Sequence, residues 1–243
     1  MGMTQHSSGT PDPTGGTGAS PTPFPPVPDS RPVDAPWPEM TWPPAAGVVL
    51  RGRVVELAPA DPVRDAPELF TALDHDDVWR HVAGRPRDAD DQARLLEQSL
   101  AAGRLPWVVR LVAALAGLPA GTVVGTSTYL DVSVADARLE IGSTAYTPAV
   151  WGSAVNPETK LLLLGHAFES LGAGRVQLKT DVRNHRSQRA IARLGARYEG
   201  TLRRYQRRAD GTVRDTAMFA LLAEDWPAAR ASLRQRLDAA ASG

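Results

Sequence analysis

The chain has 243 residues, and its 27 Lys and Arg residues balance 27 Asp and Glu residues, so that the formal net charge at pH 7 is zero. It contains no cysteine, which excludes a disulfide framework, a thiolate metal site and a cysteine nucleophile. The N-terminus lacks the basic-then-apolar pattern of a signal peptide, and the apolar stretch near residues 107–118 is too short to span a bilayer. These features predict a cytoplasmic protein.

The first 46 residues are rich in Pro, Gly, Ser and Thr, and twelve of the 21 prolines lie there. Such a segment buries too little apolar surface to offset the entropy of ordering it. We therefore predict a disordered tail over residues 1–46 and one folded domain over residues 47–238. The aromatic residues of the tail allow two interpretations. They pack locally against the first strand, or the end of the tail docks on the domain or on a partner. These residues are Phe24, Trp37 and Trp42.

Apolar periodicity divides the first part of the domain into strands and helices. The helix predicted at residues 88–103 has acidic residues in its first turn and Gly103 at its end, as helix termini favour. In chain order, this part predicts a strand at 48–58, helices at 65–73 and 88–103, and strands at 107–115, 121–134 and 138–146.

The clearest helix of the chain is predicted at residues 156–171. Asn156 is its expected N-cap, Pro157 suits the first turn, and Gly172 ends it. A stripe of apolar residues at helical spacing forms its predicted buried face. This stripe consists of Leu161, Leu164, Phe168 and Leu171.

The last part of the domain predicts a closing hairpin, because Asp210-Gly211 readily adopts the positive φ angles of a tight turn. The overall order is β-α-α-β-β-β-α-β-α-β-β, followed by a final helix. It predicts an α/β fold with a mixed, mostly antiparallel sheet of about seven strands flanked by helices. The elements of this part are a strand at 175–182, a helix at 184–194, strands at 198–208 and 212–222, and a helix at 226–240.

The loop before the central helix is made of small residues, Gly152, Ser153 and Ala154, which let the backbone approach a ligand. The first N–H groups of a helix have no internal partner and lie at the positive end of its dipole, so they suit a phosphate or diphosphate. A good helix cap without a ligand is the alternative. Neither the Walker motif nor GxGxxG occurs in the chain.

Positive charge is concentrated near the end of the chain, where residues 175–215 contain twelve Lys and Arg against four Asp and Glu. This excess suits an anionic ligand, and a solvated helix face with a basic hairpin is the alternative. One arginine group lies at helical spacing and can meet the anionic end of a cofactor. A second lines the hairpin and can steer an acidic substrate. The groups are Arg186, Arg189 and Arg193, and Arg203, Arg204, Arg207 and Arg208.

Residues 140–226 carry a resemblance to a known family. The matching features, in order, are EIG on a strand, Trp-Gly in the loop, AFE-x-LG-x-x-RV, T-D-x-x-N-x-x-S, A-x-x-LGA-x-x-EG and DG-x-x-RD. This run resembles the second half of GNAT superfamily N-acetyltransferases, and more narrowly the Rim-type branch that acetylates N-terminal amines of ribosomal proteins. The first half of the domain matches by element order alone.

The resemblance implies a GNAT-type fold and transfer of an acetyl group from acetyl-CoA, as co-substrate, to a primary amine. The acceptor is a protein N-terminus or a small molecule, and it attacks directly in a ternary complex. The resemblance implies no metal and a monomer or homodimer. A catalytically inactive CoA-binding or regulatory module is the alternative. Binding of nucleic acid is not expected, because few aromatic residues accompany the arginines.

The pyrophosphate loop departs from the family pattern. That pattern, (Gln/Arg)-x-x-Gly-x-(Gly/Ala), falls here on Trp151, Ala154 and Asn156, so the usual basic or amide residue and the key glycine are missing. Backbone N–H groups remain to bind the diphosphate. The resemblance thus assigns cofactor contacts to Trp151, Gly152, Ser153, Ala154, Val155 and Asn156.

The resemblance also assigns roles in the chemistry. Glu140 is the candidate general base, directly or through water, and an exposed or arginine-paired strand glutamate is the alternative. A backbone N–H near residues 144–146 would stabilise the oxyanion. Ser187 would protonate the thiolate, with Asn184 holding the pantetheine arm; helix capping is the alternative for both. Tyr146 and Tyr205 are reserve acids.

The acceptor pocket falls in the poorly matched first half of the domain. Trp79, Arg80 and Trp107 are its candidate lining. The histidines show no spacing typical of a metal site, which agrees with a metal-free reaction. They include His75, His81, His166 and His185.

Overall fold

The computed structural model describes residues 25–29, 36–82, 84–208 and 210–241. The chain forms two compact units, Met1–Pro36 and Trp37–Gly243. In the first unit, residues 25–29 are exposed and have no regular secondary structure. The rest of that unit, Phe24 included, lies outside the described residues apart from Pro36, so the predicted tail over residues 1–46 is described only in part. Within the described ranges, no helix combines the length and apolarity needed to cross a membrane.

The second unit is built on one sheet, which within the described residues has eight strands in the order β1-β2-β3-β4-β5-β6-β8-β7. All neighbouring strands are antiparallel except β5 and β6. This confirms the predicted α/β fold with a mixed, mostly antiparallel sheet. The strands are β1 (Leu50–Arg51), β2 (Val55–Pro59), β3 (Leu105–Leu111), β4 (Val123–Ser133), β5 (Arg138–Tyr146), β6 (Arg175–Asp181), β7 (Arg197–Arg207) and β8 (Val213–Leu222).

Helices flank the sheet and follow the predicted order, with a short additional helix, α2, in the first half. The final helix continues past residue 238, the predicted end of the domain. The helices are α1 (Pro62–Leu73), α2 (Asp76–Trp79), α3 (Ala89–Ala101), α4 (Val155–Gly165) with a π-helical continuation (His166–Ser170), α5 (His185–Ala192) and α6 (Trp226–Ala241).

The sheet has one strand more than predicted because the strand expected at residues 48–58 is broken between β1 and β2. At the break, the Glu158 carboxylate of α4 accepts hydrogen bonds from the backbone N–H groups of Arg53 (2.9 Å), Val54 (2.6 Å) and Val55 (2.8 Å). A Cβ atom on Gly52 would lie 2.4 Å from the Glu158 Cδ. The chain therefore turns here around a carboxylate that lies far away in sequence.

The central helix differs from its prediction at both ends. It begins at Val155 with Ala154 as N-cap, because Ala154 is already in the helical region (φ −70°, ψ −11°), so Asn156 lies in the first turn and is not the cap. The π-helical continuation rotates the last turns. Of the predicted buried stripe, Leu164 and Leu171 are buried, whereas Leu161 and Phe168 are only partly buried.

Residues 37–46, which composition placed in the tail, pack on the domain. The Trp37 Nε1–H donates to the Ala135 carbonyl (3.2 Å), and the Thr41 N–H donates to the Leu171 carbonyl (2.8 Å). Met40 is buried in the main core. The predicted boundary at residue 47 thus falls inside a packed region, because a few large apolar side chains outweigh the proline-rich composition around them.

The predicted hairpin turn lies between β7 and β8. Gly211 has a φ angle of +81°, and its N–H donates to the Arg208 carbonyl (3.0 Å). Ala209, which precedes Asp210 and also belongs to the expected turn, lies outside the described residues. This hairpin brings β8 between β6 and β7 and so completes the sheet on the side of the cleft described next.

Candidate active site

The two parallel strands at the centre of the sheet separate part of the way along their length. Their pairing covers Arg138–Glu140 of β5 against Arg175–Gln177 of β6 and stops there. Beyond this point a cleft of about 1050 Å³ lies between them. Residues 178–181 of β6 all line the cleft, and successive side chains of a strand point to opposite faces. The cleft therefore opens through the sheet to both of its faces.

On one face, the loop before α4 and the start of α5 border the cleft. The Trp151 indole is fixed by its Nε1–H, which donates to the Tyr146 carbonyl (2.9 Å). The Arg186 guanidinium stacks 3.9 Å above the Trp151 ring. Gly152 has a φ angle of +80°, which a side chain would disfavour, and Ser153 donates its hydroxyl to the Val150 carbonyl (2.6 Å). The loop is thus rigidly held where the cleft meets the helix.

Most of the predicted cofactor contacts line this part of the cleft. They are Trp151, Gly152, Ser153, Asn156, Asn184 and Ser187. Ala154 and Val155 do not line it, because Ala154 is the helix cap and the Val155 side chain packs in the core. The Val155 N–H is also used, since it donates to the Ser153 hydroxyl (3.2 Å). These two residues are therefore poorer candidates than their neighbours.

Asn184 is a helix cap, the alternative that the sequence allowed, and its contact with a cofactor stays a prediction. Its Oδ1 accepts the Ser187 N–H (3.0 Å), which makes it the N-cap of α5. It also lines the cleft, as does Ser187. The cap places the Ser187 hydroxyl in the first turn of a helix that faces the gap between β5 and β6.

The basic helix face predicted on α5 borders the cleft through all three of its arginines, Arg186, Arg189 and Arg193, and Arg236 of α6 adds a fourth. The Arg236 guanidinium donates to the Arg193 carbonyl (2.8 Å). This concentration of positive charge beside the first turn of α4 suits a ligand that carries phosphate groups.

Lys160 of α4, which was not predicted as a site residue, lies where this helix packs against β5. It is 5% exposed, and its Nζ lies 2.7 Å from the Thr144 Oγ1 and 3.0 Å from the Ser127 Oγ. Burial without an acidic partner in the described part of the chain lowers its pKa to about 7. The sequence did contain one indication of its role. Lys160 is four residues after Asn156, a predicted cofactor contact, so both side chains lie on one face of the helix.

The chain contains only two lysines, Lys160 and Lys179, and both line the cleft. Its other basic side chains are arginines and histidines. Lysine, unlike arginine, changes protonation readily when it is buried. Both lysine side chains of the chain are therefore available to the chemistry of the cleft.

On the other face of the sheet, Glu140 lies at the point where β5 and β6 part. It is 2% exposed, and its Oε2 lies 2.9 Å from the Lys179 Nζ and 3.3 Å from the Gln177 Nε2. Burial raises the pKa of Glu140, while the Lys179 ammonium opposes this shift. Glu140 is thus neither exposed nor paired with an arginine, the two alternatives that the sequence suggested; its partner is a lysine.

Two further acidic groups near Glu140 are also paired. Lys179 contacts Asp131 (3.1 Å), and Arg208 donates two hydrogen bonds to Asp181 (2.5 and 2.9 Å). The Arg208 guanidinium lowers the pKa of Asp181 to about 2. Of the reserve acids, Tyr205 lines the cleft beside Lys179 and is partly exposed, whereas Tyr146 is buried, which raises its pKa.

The residues predicted to line the acceptor pocket do not reach the cleft. Trp107 is fully buried between Tyr129 and His166, with ring centroids 5.6 Å from each. The Trp79 Nε1–H donates to the Leu73 carbonyl (2.7 Å), and Arg80 pairs with Asp77. The cleft is lined instead by other residues of this segment, in α2 and shortly after it. They are Asp77, Val78, His81 and Val82.

Within the described part of the chain, no group of three or more His, Asp or Glu side chains is arranged to hold a metal ion. Burial lowers the pKa of His81, the one predicted histidine that lines the cleft. His166 packs in the core against Tyr129, with which it shares a 3.3 Å contact. The groups that line the cleft and can move protons include carboxylate, hydroxyl, amine and imidazole side chains.

Comparison with known proteins agrees with this geometry. Residues 55–197 match the family model described as an acetyltransferase (GNAT) domain. Among curated proteins, none matches the chain. A candidate acetyltransferase of T. thermophilus is 36% identical, with 81% of this chain and all of that chain covered and a TM-score of 0.69.

Two further solved structures extend the comparison. A GNAT-family protein of Chromobacterium violaceum is 30% identical (84% of this chain, 100% of that chain, TM-score 0.74). RimJ of Mycobacterium smegmatis, solved in complex with CoA-disulfide, is 24% identical (82% and 97%, TM-score 0.64), a likeness that concerns the fold. Since the family model covers more than half of the chain, the chain belongs to the GNAT family of acetyltransferases.

Proposed function

We propose that this protein transfers the acetyl group of acetyl-CoA to a primary amine by direct attack in a ternary complex. The observation that carries the proposal is the cleft between β5 and β6, which joins a basic face to a face that holds a buried glutamate. Two substrates can approach from opposite faces and meet where the strands part. Such proximity makes a covalent enzyme intermediate unnecessary.

Acetyl-CoA would enter from the face formed by α4 and α5. The N–H groups in the first turn of α4 and the arginines of α5 would hold its diphosphate, and Asn184 would hold the pantetheine arm. The CoA-disulfide bound to RimJ, which has a similar fold, supports this choice of ligand.

The altered loop is compatible with such binding. Ala154 replaces the family's key glycine, but its φ angle of −70° is one that any residue adopts. The left-handed conformation is supplied by Gly152 instead. This observation weighs against the inactive module that the loop sequence suggested.

In the reaction, the amine nitrogen forms a bond to the acetyl carbonyl carbon, and the bond from that carbon to sulfur breaks. Glu140 would accept the proton that the ammonium loses, and Ser187 would supply the proton that the thiolate gains, with Tyr205 as the reserve donor. A carboxylate with a raised pKa is a better proton acceptor than an ordinary glutamate.

The oxyanion would be stabilised by backbone N–H groups of β5. The register between β4 and β5 shifts between the pairs Thr126–Ala145 and Thr128–Gly142, and Ser143 has a φ angle of +45°. A bulge of this kind leaves residues out of the ladder, so their N–H groups can turn toward a ligand. This supports the assignment of the oxyanion site to residues 144–146.

The proposal leaves two classes of acceptor. One is a protein N-terminus, as in the Rim-type branch, and the other is a small-molecule amine.

The test is calorimetric titration of the full chain with acetyl-CoA, and with ATP and NAD as controls, followed by assay of CoA release with amines. Selective binding of acetyl-CoA and amine-dependent CoA release support the proposal. Absence of binding, or equal binding of all three nucleotides, would refute it.

A further inference from the structure

Arg214 of β8 lies on the same face of the sheet as Glu140, and it also lines the cleft. Strand registers establish the shared face. Glu140 of β5 lies opposite Gln177 of β6 in the strand register. Lys179 and Asp181 are two and four residues after Gln177, so their side chains point to the same face. Asp181 is opposite Thr216, two residues from Arg214 on β8. Side chains at directly opposite and alternating positions point to one face.

The Arg214 guanidinium differs from its neighbours on this face in that it forms no ion pair among the described residues. Its Nε is buried and has no hydrogen-bond partner there. Two other largely buried cations on this face form ion pairs: Lys179 with Glu140, and Arg208 with Asp181. Asp181 is already engaged by two hydrogen bonds from Arg208, so it does not serve Arg214.

An unpaired, partly buried guanidinium is energetically unfavourable and stays charged. Burial lowers the pKa of Arg214, and the nearby Asp181 opposes this shift. Arginine nevertheless keeps its proton at all physiological pH values. A buried N–H donor that has no acceptor destabilises the folded state. The Arg214 guanidinium can therefore receive an anion that the described part of the chain does not provide.

We infer that Arg214 binds a carboxylate of the acceptor, so that the acceptor is a primary amine that also carries a carboxylate group. The inference rests on the proposed function and adds the substrate class. Glu140 receives the ammonium end, and the guanidinium of Arg214 receives the carboxylate in the two-pronged geometry that arginine offers. Arg214 is on the face of the sheet opposite to the one that α4 and α5 border, where the phosphate groups of acetyl-CoA are expected. We therefore assign it to the acceptor.

The test uses the full chain and acceptors in matched pairs, with and without a carboxylate. Suitable pairs are glycine and methylamine, β-alanine and ethylamine, and γ-aminobutyrate and propylamine, together with the common L-amino acids and their amides. A peptide whose second residue is Asp, compared with the same peptide with Asn, separates a peptide source of the carboxylate from a free amino acid. The length series measures how many bonds separate the two recognised groups.

We expect kcat/KM for the best carboxylate-bearing amine to exceed that of its neutral partner by about 10- to 100-fold, as for a charge-assisted hydrogen-bonded pair. Arg214→Gln reduces this preference to less than about 3-fold, because it lowers kcat/KM for carboxylate-bearing amines more than for their neutral partners. The Kd of acetyl-CoA stays unchanged, and Arg214→Lys keeps part of the preference. Arg203→Gln is the matched control, because Arg203 is exposed on β7 and does not line the cleft.

The outcomes separate the inference from the proposed function. Equal acetylation of neutral and carboxylate-bearing amines, or a preference that survives in Arg214→Gln, overturns the inference and leaves the acetyltransferase standing. A chain that acetylates no amine at all overturns both. The Arg214→Gln variant is expected to fold, since it removes a charge without a partner, and thermal unfolding verifies this.

Discussion

The Lys179 Nζ lies 2.9 Å from the Glu140 Oε2, so the candidate base is held by one of only two lysines in the chain. Burial raises the pKa of Glu140, and the Lys179 ammonium holds it below the value that burial alone would give. The pair thus sets the pH above which the carboxylate can accept a proton.

Lys179→Met is predicted to raise the pKa of Glu140. A general base acts only when it is deprotonated, so the acidic limb of the kcat/KM profile against pH should move to higher pH, with activity recovered at alkaline pH. Lys179→Arg keeps the charge and is expected to leave the limb nearly in place. An acidic limb that stays fixed or moves to lower pH in Lys179→Met contradicts the role assigned to this pair.

Glu140→Gln is predicted to lower turnover at least ~10-fold, the lower range of loss for a general base. The Kd of acetyl-CoA should not change, because Glu140 lies on the opposite face from the predicted diphosphate site. Glu199→Gln is the control, since Glu199 is an outlying glutamate paired with Arg175 (2.5 Å). Steady-state kinetics decide the matter, and unchanged turnover in Glu140→Gln would show that another group is the base.

Lys160 is predicted to make stability depend on pH between about 7 and 10. Its pKa is 10.5 in the unfolded chain and about 7 in the folded one, so within this window only the unfolded chain binds the proton. The free energy of unfolding therefore rises with pH from about 7 toward 10.5. Below about pH 7 the lysine is protonated in both states, and its burial is at its most costly.

The measurement compares thermal unfolding of the wild type and Lys160→Met at pH 7 and pH 10. The wild type should gain stability relative to the variant as pH rises, and other titrating groups cancel in the difference. A difference in Tm that stays constant between the two pH values would mean that Lys160 keeps its ordinary pKa.

Glu158→Gln is predicted to destabilise the fold by about 3 kcal/mol, since an amide would present N–H groups to backbone donors that now meet a buried carboxylate. Glu158 is 3% exposed. Glu56→Gln on β2 is the matched control, because the pair of Glu56 with Arg51 is solvent-accessible and such pairs contribute little. Denaturant titration gives both values; equal losses in the two variants would argue against the role of Glu158.

Local signals in the sequence predicted the elements well. The Asn184 cap, the Asp210-Gly211 turn and the order of strands and helices depend on residues that are neighbours in the chain, and the structure agrees with them. The motifs after residue 140 likewise identified the strand that carries Glu140 and the helices on either side of the cleft.

Features that depend on distant residues were not predictable in this way. The break after β1 is held by Glu158, more than a hundred positions later, and Trp107 is a core residue because Tyr129 and His166 surround it. Lys160 and Arg214 look like solvent-exposed side chains in sequence. Only the folded arrangement buries Lys160 and the Nε of Arg214.

The placement of both lysines in the cleft has a practical consequence for covalent chemistry on this protein. Amine-directed reagents can react with the α-amino terminus and with the side chains of Lys160 and Lys179, and with no other amine of the chain. A ligand that fills the cleft should shield these two side chains from modification. The mass added by such a reagent would then serve as a direct gauge of occupancy, without any need to know which amine the enzyme acetylates.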